Sequence, residues 1–194
     1  MGRPDLTEVR TAEILDAFER CVARFGLEGS SLERVAEEAG MKRSILRHYI
    51  GNRDDLINAL ADRVDAKYRS YLQGFVDSVS EDQRVKQLIE FFLPDQPFES
   101  SGSVLVVEAL IAASEQYPRI REQMSAYIDD LVTTIAQQLR MAYPKATSKS
   151  CWNVAYGIVS ISFNQESLIS LNLSDKYLKA ARKCAYQLVA TLES

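Results

Sequence analysis

FGLEGSSLERVAEEAGMKRSILRHYIGNRDDL, residues 25–56, decides the fold. Leu32, Val35, Ala36 and Ala39 recur at helical spacing, which predicts a short helix from about Ser31 to Glu38. Ser30 and Glu33 have capping-box spacing at its start. Gly40 breaks it, and glycine suits a sharp turn because it adopts positive φ at little cost. A second short helix follows from about Arg43 to Tyr49 and stops at Gly51-Asn52. Two short helices joined by a glycine turn, the second basic, are a helix-turn-helix, here about 31–50. Met41, Leu46 and Ile50 fall on one side, toward Leu32, Val35 and Ala36. That leaves Lys42, Arg43, Ser44, Ile45, Arg47 and Tyr49 for a partner outside the fold. Periodicity alone leaves the rotation of Ile45 open between core and surface.

Charge supports this reading. The 194-residue chain has a net charge of −4, which by itself argues against a nucleic-acid partner. Its distribution argues the other way. Residues 1–53 hold nine Lys/Arg and nine Asp/Glu, and the stretch 41–53 holds Lys42, Arg43, Arg47 and Arg53 with no carboxylate. A basic patch on an acidic body is a footprint for local phosphate contact.

Working outward, helical periodicity dominates and no strand pattern appears. N-terminal to the motif, Ile14, Ala17, Phe18, Cys21, Val22 and Phe25 make the stripe of a helix from about Thr7 to Arg24, ended by Gly26. C-terminal to it, Asn52 can cap a long helix carrying Leu56, Leu60, Val64, Tyr68, Leu72 and Phe75. Further helices are expected over 83–93, 101–116, 119–143, 146–173 and 175–192. The fold class is therefore all-α, with about nine helices. An N-terminal three-helix domain occupies 1–53, and a larger helical domain occupies 54–194.

The motif resembles the DNA-binding domain of the TetR family. The matching residues are Phe25-Gly26, Ser30-Ser31, Val35-Ala36, Ala39-Gly40, His48-Tyr49-Ile50, Arg53 and Leu56. The resemblance covers roughly residues 7–60, and beyond them only length and helix count agree. It implies that Lys42, Arg43, Ser44 and Ile45 face bases or nearby phosphates. By the same match, Tyr49 touches a phosphate, Ser31 makes a contact at the start of the second helix, and Arg53 seats the fourth helix on phosphate or on the turn. Arg3 resembles an arm that reaches the minor groove. The chain departs from the family where Lys42 replaces a common serine cap, Ile45 a small residue and Arg47 a tyrosine. Arg47 can bond phosphate or guanine, and Ile45 can pack on a thymine methyl.

The resemblance also implies a variable C-terminal domain that binds a small molecule, and a homodimer formed through the last two helices. The 146–173 stretch carries no charge between Lys149 and Glu166, so it must be buried on several faces. Core on one side and a twofold partner on the other would do this. Small residues (Gly157, Ala181, Ala185) would let the last two helices approach closely. Candidate pocket residues are Phe92, Glu108, Tyr127, Trp152, Tyr156, Phe163 and Asn164. Aromatic residues at such spacing are more often core. Glu108 stands out inside VLVVEALIAA, because a buried carboxylate needs a partner. The expected partners are a double-stranded DNA operator and a largely apolar small-molecule effector.

Catalysis finds no support. The single histidine, His48, lies inside the basic helix, which removes Ser-His-Asp and Cys-His triads and any zinc site of two histidines. No glycine-rich phosphate or dinucleotide loop occurs. No catalytic residue, metal or cofactor is expected. Cys21, Cys151 and Cys184 are odd in number and far apart, and suit a reducing compartment. All three fall on apolar helix faces, where a free cysteine is a small core residue. The N-terminus carries no secretory signal pattern and no run of 18 apolar residues occurs, so the expected location is the cytoplasm. The competing readings are a helical dimeric protein-interaction module with a degenerate helix-turn-helix, and a small-molecule hydrolase or carrier. The carboxylate-free segment 41–53 disfavours both.

Overall fold

A computed structural model describes residues 6–95, 102–168 and 171–193. Among them there are nine α-helices and no strand: α1 Leu6–Gly29, α2 Leu32–Glu38, α3 Arg43–Ile50, α4 Arg53–Ser78, α5 Arg84–Phe92, α6 Gly102–Ala113, α7 Pro118–Ala142, α8 Ser148–Ser167 and α9 Lys176–Ala190. None of these helices is long and apolar enough to cross a membrane.

Packing divides the chain into two compact units. One holds residues 1–67 and 102–124, the other 68–101 and 125–194. This differs from the division at residue 53 that the motif alone suggests. The reason is α6, which packs on α1 with Val106, Val107 and Leu110 buried. Both α4 and α7 cross the boundary, as the length of the α4 stripe leads one to expect.

In the first unit the expected stripes are buried. Ile14, Ala17 and Phe18 are fully buried on α1, Val35 on α2, Leu46 on α3, and Leu56 and Leu60 on α4. Phe25 departs from the stripe. Gly26 takes φ 69° and ψ 172°, which breaks α1 and leaves Phe25 exposed in its last turn. There its ring lies between two guanidiniums, with Arg34 at 4.3 Å and Arg24 at 5.1 Å from its centroid. The α2 cap also differs from expectation. Ser31, not Ser30, is the N-cap, and its hydroxyl accepts from Arg34 N at 3.3 Å. Ser30 is buried and donates to the Gly26 carbonyl at 2.7 Å.

In the second unit Phe75, Leu88, Ile89, Leu131, Ile135, Leu139, Val154, Ala155, Ile158 and Val189 form one apolar core. α8 and α9 approach closely, with Ala181 and Ala185 buried, and a Cβ on Gly157 would meet Leu188 Cδ1 at 2.7 Å. Arg182 of α9 donates through Nε to the carbonyl of Leu93, the C-cap of α5, at 2.7 Å and through Nη1 to Asp95 at 2.6 Å. α8 is shorter than its apolar sequence suggests. It stops at Ser167; downstream, Asn172 adopts φ 48°, and Leu171 and Leu173 are exposed. Cys21 and Cys151 are buried as expected, but Cys184 is exposed, because α9 turns Ala181 and Ala185 inward instead.

Candidate nucleic-acid interface

The turn between α2 and α3 is closed by backbone hydrogen bonds. Gly40 N donates to Glu37 O at 3.0 Å, and Met41 N to Ala36 O at 2.9 Å. Gly40 holds φ 64°, the left-handed conformation that the turn requires. α3 then packs on α1 and α2 through Leu46, which is fully buried, with Met41 and Ile50 half-buried beside it. One anchored leucine on an eight-residue helix fixes which side faces outward. Lys42, Arg43, Ser44, Ile45, Arg47 and His48 are exposed, and Tyr49 is half-buried. The open rotation of Ile45 therefore resolves toward the surface.

Each candidate has a distinct setting. Lys42 is the α3 N-cap and makes no side-chain cap bond; its carbonyl accepts from Ile45 N and Leu46 N. Arg43 Nη1 lies 2.5 Å from Glu33 Oε1 of α2. Lys42 and Arg47 have no ion-pair partner among the described residues. Tyr49 meets the ring of His48 edge-on, with centroids 5.1 Å apart. Ser31 is exposed at the start of α2. Arg53 is committed within the protein: Nη2 donates to Leu27 O at 2.9 Å, Nη1 to Ser30 O at 3.1 Å, and Nη2 lies 3.4 Å from Glu28. It thus seats the first residue of α4 on the turn between α1 and α2. Asn52 caps α4 as expected, accepting from Asp54 N and Asp55 N, while Asp55 accepts in return from Asn52 N at 2.8 Å. Arg3 lies outside the described residues.

Two residues at this surface escape the sequence reading. His48 shares the exposed face with Ser44, one helical turn away, a placement that Leu46 as anchor implies. Glu33, whose spacing fits a capping box, instead reaches Arg43 of α3.

Behind this surface the charges are balanced. Arg20 Nε donates to Glu38 at 2.6 Å, and this bond holds the Glu38 carboxyl below the usual carboxylate range. Burial, reinforced by the charge of Glu38, pushes the Cys21 thiol up, so Cys21 is a packing residue. No group of three or more His, Cys, Asp or Glu among the described residues could hold a metal.

The seven expected pocket residues have different settings. Phe92 and Tyr127 are buried and Phe163 half-buried in the second unit's core. Trp152, Tyr156 and Asn164 lie exposed on α8, where the Trp152 and Tyr156 rings stack 5.6 Å apart and 2° from parallel. Glu108 belongs to the first unit and is half-buried, not enclosed. Aromatic identity cannot separate a core face from an outer face, and that is why the set divides. The second unit does contain a cleft of about 470 Å³ between α4 and α7. Tyr68, Leu72, Val76, Tyr127 and Leu131 form apolar walls, and Arg69, Asp130, Thr133 and Gln137 add polar groups. Arg69 and Asp130 pair across it. Only Tyr127 was expected there.

A short helix anchored by one leucine, turned by a glycine and presenting a basic face defines a helix-turn-helix protein with an all-α body. Residues 14–60 match the model of "Bacterial regulatory proteins, tetR family". Over these residues the chain is similar to the TetR family. Curated relatives named HTH-type transcriptional regulator BetI, among them those of Burkholderia cenocepacia and Burkholderia thailandensis, are 36% identical over 59 residues. That match covers 30% of this chain and 30% of each relative. Solved structures extend the likeness of fold to the whole chain. A TetR transcription regulator from Haloarcula marismortui matches with TM-score 0.77 at 14% identity, covering 95% of this chain and 98% of its own. One from Legionella pneumophila gives 0.76 at 16% identity, with 96% and 98% covered. A transcriptional regulator from Saccharomonospora viridis, solved in complex with choline, gives 0.73 at 17% identity, with 94% and 96% covered.

Proposed function

We propose that the protein is a ligand-responsive transcriptional repressor that binds a near-palindromic DNA operator as a homodimer. The observation that carries this is the outer face of α3. Lys42, Arg43, Ser44, Ile45, Arg47 and His48 all point away from a core that Leu46 fixes. A helix of this width fits the major groove, and the two unpaired cations are placed to meet phosphate. The relatives are named as transcriptional regulators, which favours a binding protein over an enzyme.

Dimerisation through α8 and α9 is supported by the stacked Trp152–Tyr156 pair and by Tyr177 and Tyr186, all large and exposed. Aromatic groups of this kind are enriched in interface cores. Two recognition helices about 34–36 Å apart would then enter successive major grooves. The α4–α7 cleft is the proposed effector site, with a volume in the range that suits small molecules. α4 carries Tyr68, Arg69 and Leu72 of that cleft and, at its first residue, the Arg53 clamp on the turn. An effector releases DNA only by favouring the DNA-incompetent form of the dimer.

Titration of the full chain against mixed-sequence duplex, at several salt concentrations, tests the DNA reading. Arg47→Ala should reduce the slope of log affinity against log salt by about one for each phosphate that the side chain neutralises. Folded wild-type protein that does not bind duplex at low salt overturns the proposal.

A further inference from the structure

The pair between Arg43 and Glu33 is exposed at both ends, 52% and 59% by side chain, so it adds little to stability. Its consequence lies in what it does to Arg43. An arginine reads guanine by presenting its planar fork edge-on to O6 and N7. A free side chain samples many orientations of that plane. The Glu33 carboxylate beside Nη1 biases the orientation of that plane and leaves the rest of the guanidinium available. Lys42 and Arg47, on the same helix, have no such partner among the described residues. Three cations therefore divide into two that are free to follow phosphate and one that is held.

Glu33 has a second effect. It lies in the first turn of α2, two residues beyond the Ser31 cap. Its carboxylate offsets the charge of Arg43 and repels phosphate at this surface.

We propose that Glu33 is a specificity-determining positioning residue. It holds Arg43 for guanine readout and, by its own charge, weakens binding to non-cognate DNA. This rests on the reading of α3 as a DNA-recognition helix. It goes beyond that reading by assigning discrimination at one base pair per half-site to a residue of the other helix.

The test uses the full chain and the duplex that wild-type protein selects from a random pool, together with duplexes carrying each single base-pair change in one half-site. Arg43→Ala should abolish the preference at one base pair. Glu33→Gln should lose roughly tenfold in preference at that same base pair, bind mixed-sequence duplex several-fold more tightly and show a steeper salt dependence. Glu33→Asp keeps the charge but shortens the reach. It should therefore retain weak non-cognate binding while losing part of the base preference, a separation that a merely structural role would not produce. The double variant Glu33→Gln/Arg43→Ala should lose no more base preference than Arg43→Ala alone. Circular dichroism checks that each variant is folded. If folded Glu33→Gln and Glu33→Asp both keep the wild-type preference, or lose it at a different base pair from Arg43→Ala, the proposal is overturned. If folded wild-type protein selects no sequence, the DNA reading of α3 fails and this inference fails with it.

Discussion

Arg53 shows what a single side chain does for this interface. Its two terminal nitrogens serve the carbonyls of Leu27 and Ser30, and its side chain is 30% exposed. Hydrogen bonds to charged groups contribute about 1.5–3 kcal/mol each, more than its pair with the exposed Glu28 can add. Arg53→Ala should lower the stability of the full chain in urea by about 2–3 kcal/mol. Arg53→Lys should recover only part of this, since an ammonium lacks the planar fork. Glu166 sets a test of opposite sign. Burial pushes its carboxyl above the usual range, and a hydrogen bond from Ser162 at 3.4 Å only partly offsets this. The folded state thus holds the proton more tightly than the unfolded chain. Ionisation costs stability as pH rises through the ordinary carboxylate range and on to the raised value. Glu166→Gln should therefore raise Tm at neutral pH, with the gain fading below about pH 4. An equal gain at both pH values would contradict that account. At this scale the sequence is informative about identity and poor about partners. Arg53 is legible as the basic residue after the motif. The carbonyls it serves are chemically the same at every position, so only folding selects Leu27 and Ser30.

At the scale of elements, periodicity is informative because the helices are long and their apolar stripes regular. Every residue of the α7 stripe, from Ile120 through Tyr127 to Leu139, is buried. Ends are less legible. Ser30 and Ser31 are both competent caps, and the break at Gly26 decides between them by taking Ser30 into the interior. α8 reads longer in sequence than it is, since leucines continue past its end at Ser167 to Leu173, beside Asn172 with its positive φ. Two glycines make opposite predictions. Gly40→Ala forces a side chain into φ 64° and should cost about 1–2 kcal/mol, measured by thermal or urea unfolding. Gly74 sits within α4, with nothing within 4 Å of where a Cβ would stand. Gly74→Ala should stabilise by about 0.5–1 kcal/mol, because alanine loses less freedom in a helix. If both changes moved stability in the same direction, the turn would not need its positive φ.

At the scale of the molecule, the net charge of −4 conceals a basic, carboxylate-free stretch over residues 41–53, and only the local distribution shows it. The α4–α7 cleft is the least legible feature. Its walls combine residues from α4 and α7 that are far apart in sequence, and tyrosine serves equally in core, cleft and outer surface. The outer face of α8 leads to a test of assembly. Trp152→Glu combined with Tyr156→Glu should weaken self-association in sedimentation equilibrium, because a charge desolvated at an interface is costly. The same variant should bind its operator less tightly, through loss of the second recognition helix. The central claim, a twofold reader of DNA, is tested most directly by selecting binding sites from a random duplex pool with purified protein at near-physiological salt. The account predicts a recovered near-palindrome with half-site centres about one helical turn, 34–36 Å, apart. A folded, dimeric protein that enriches no sequence would contradict it.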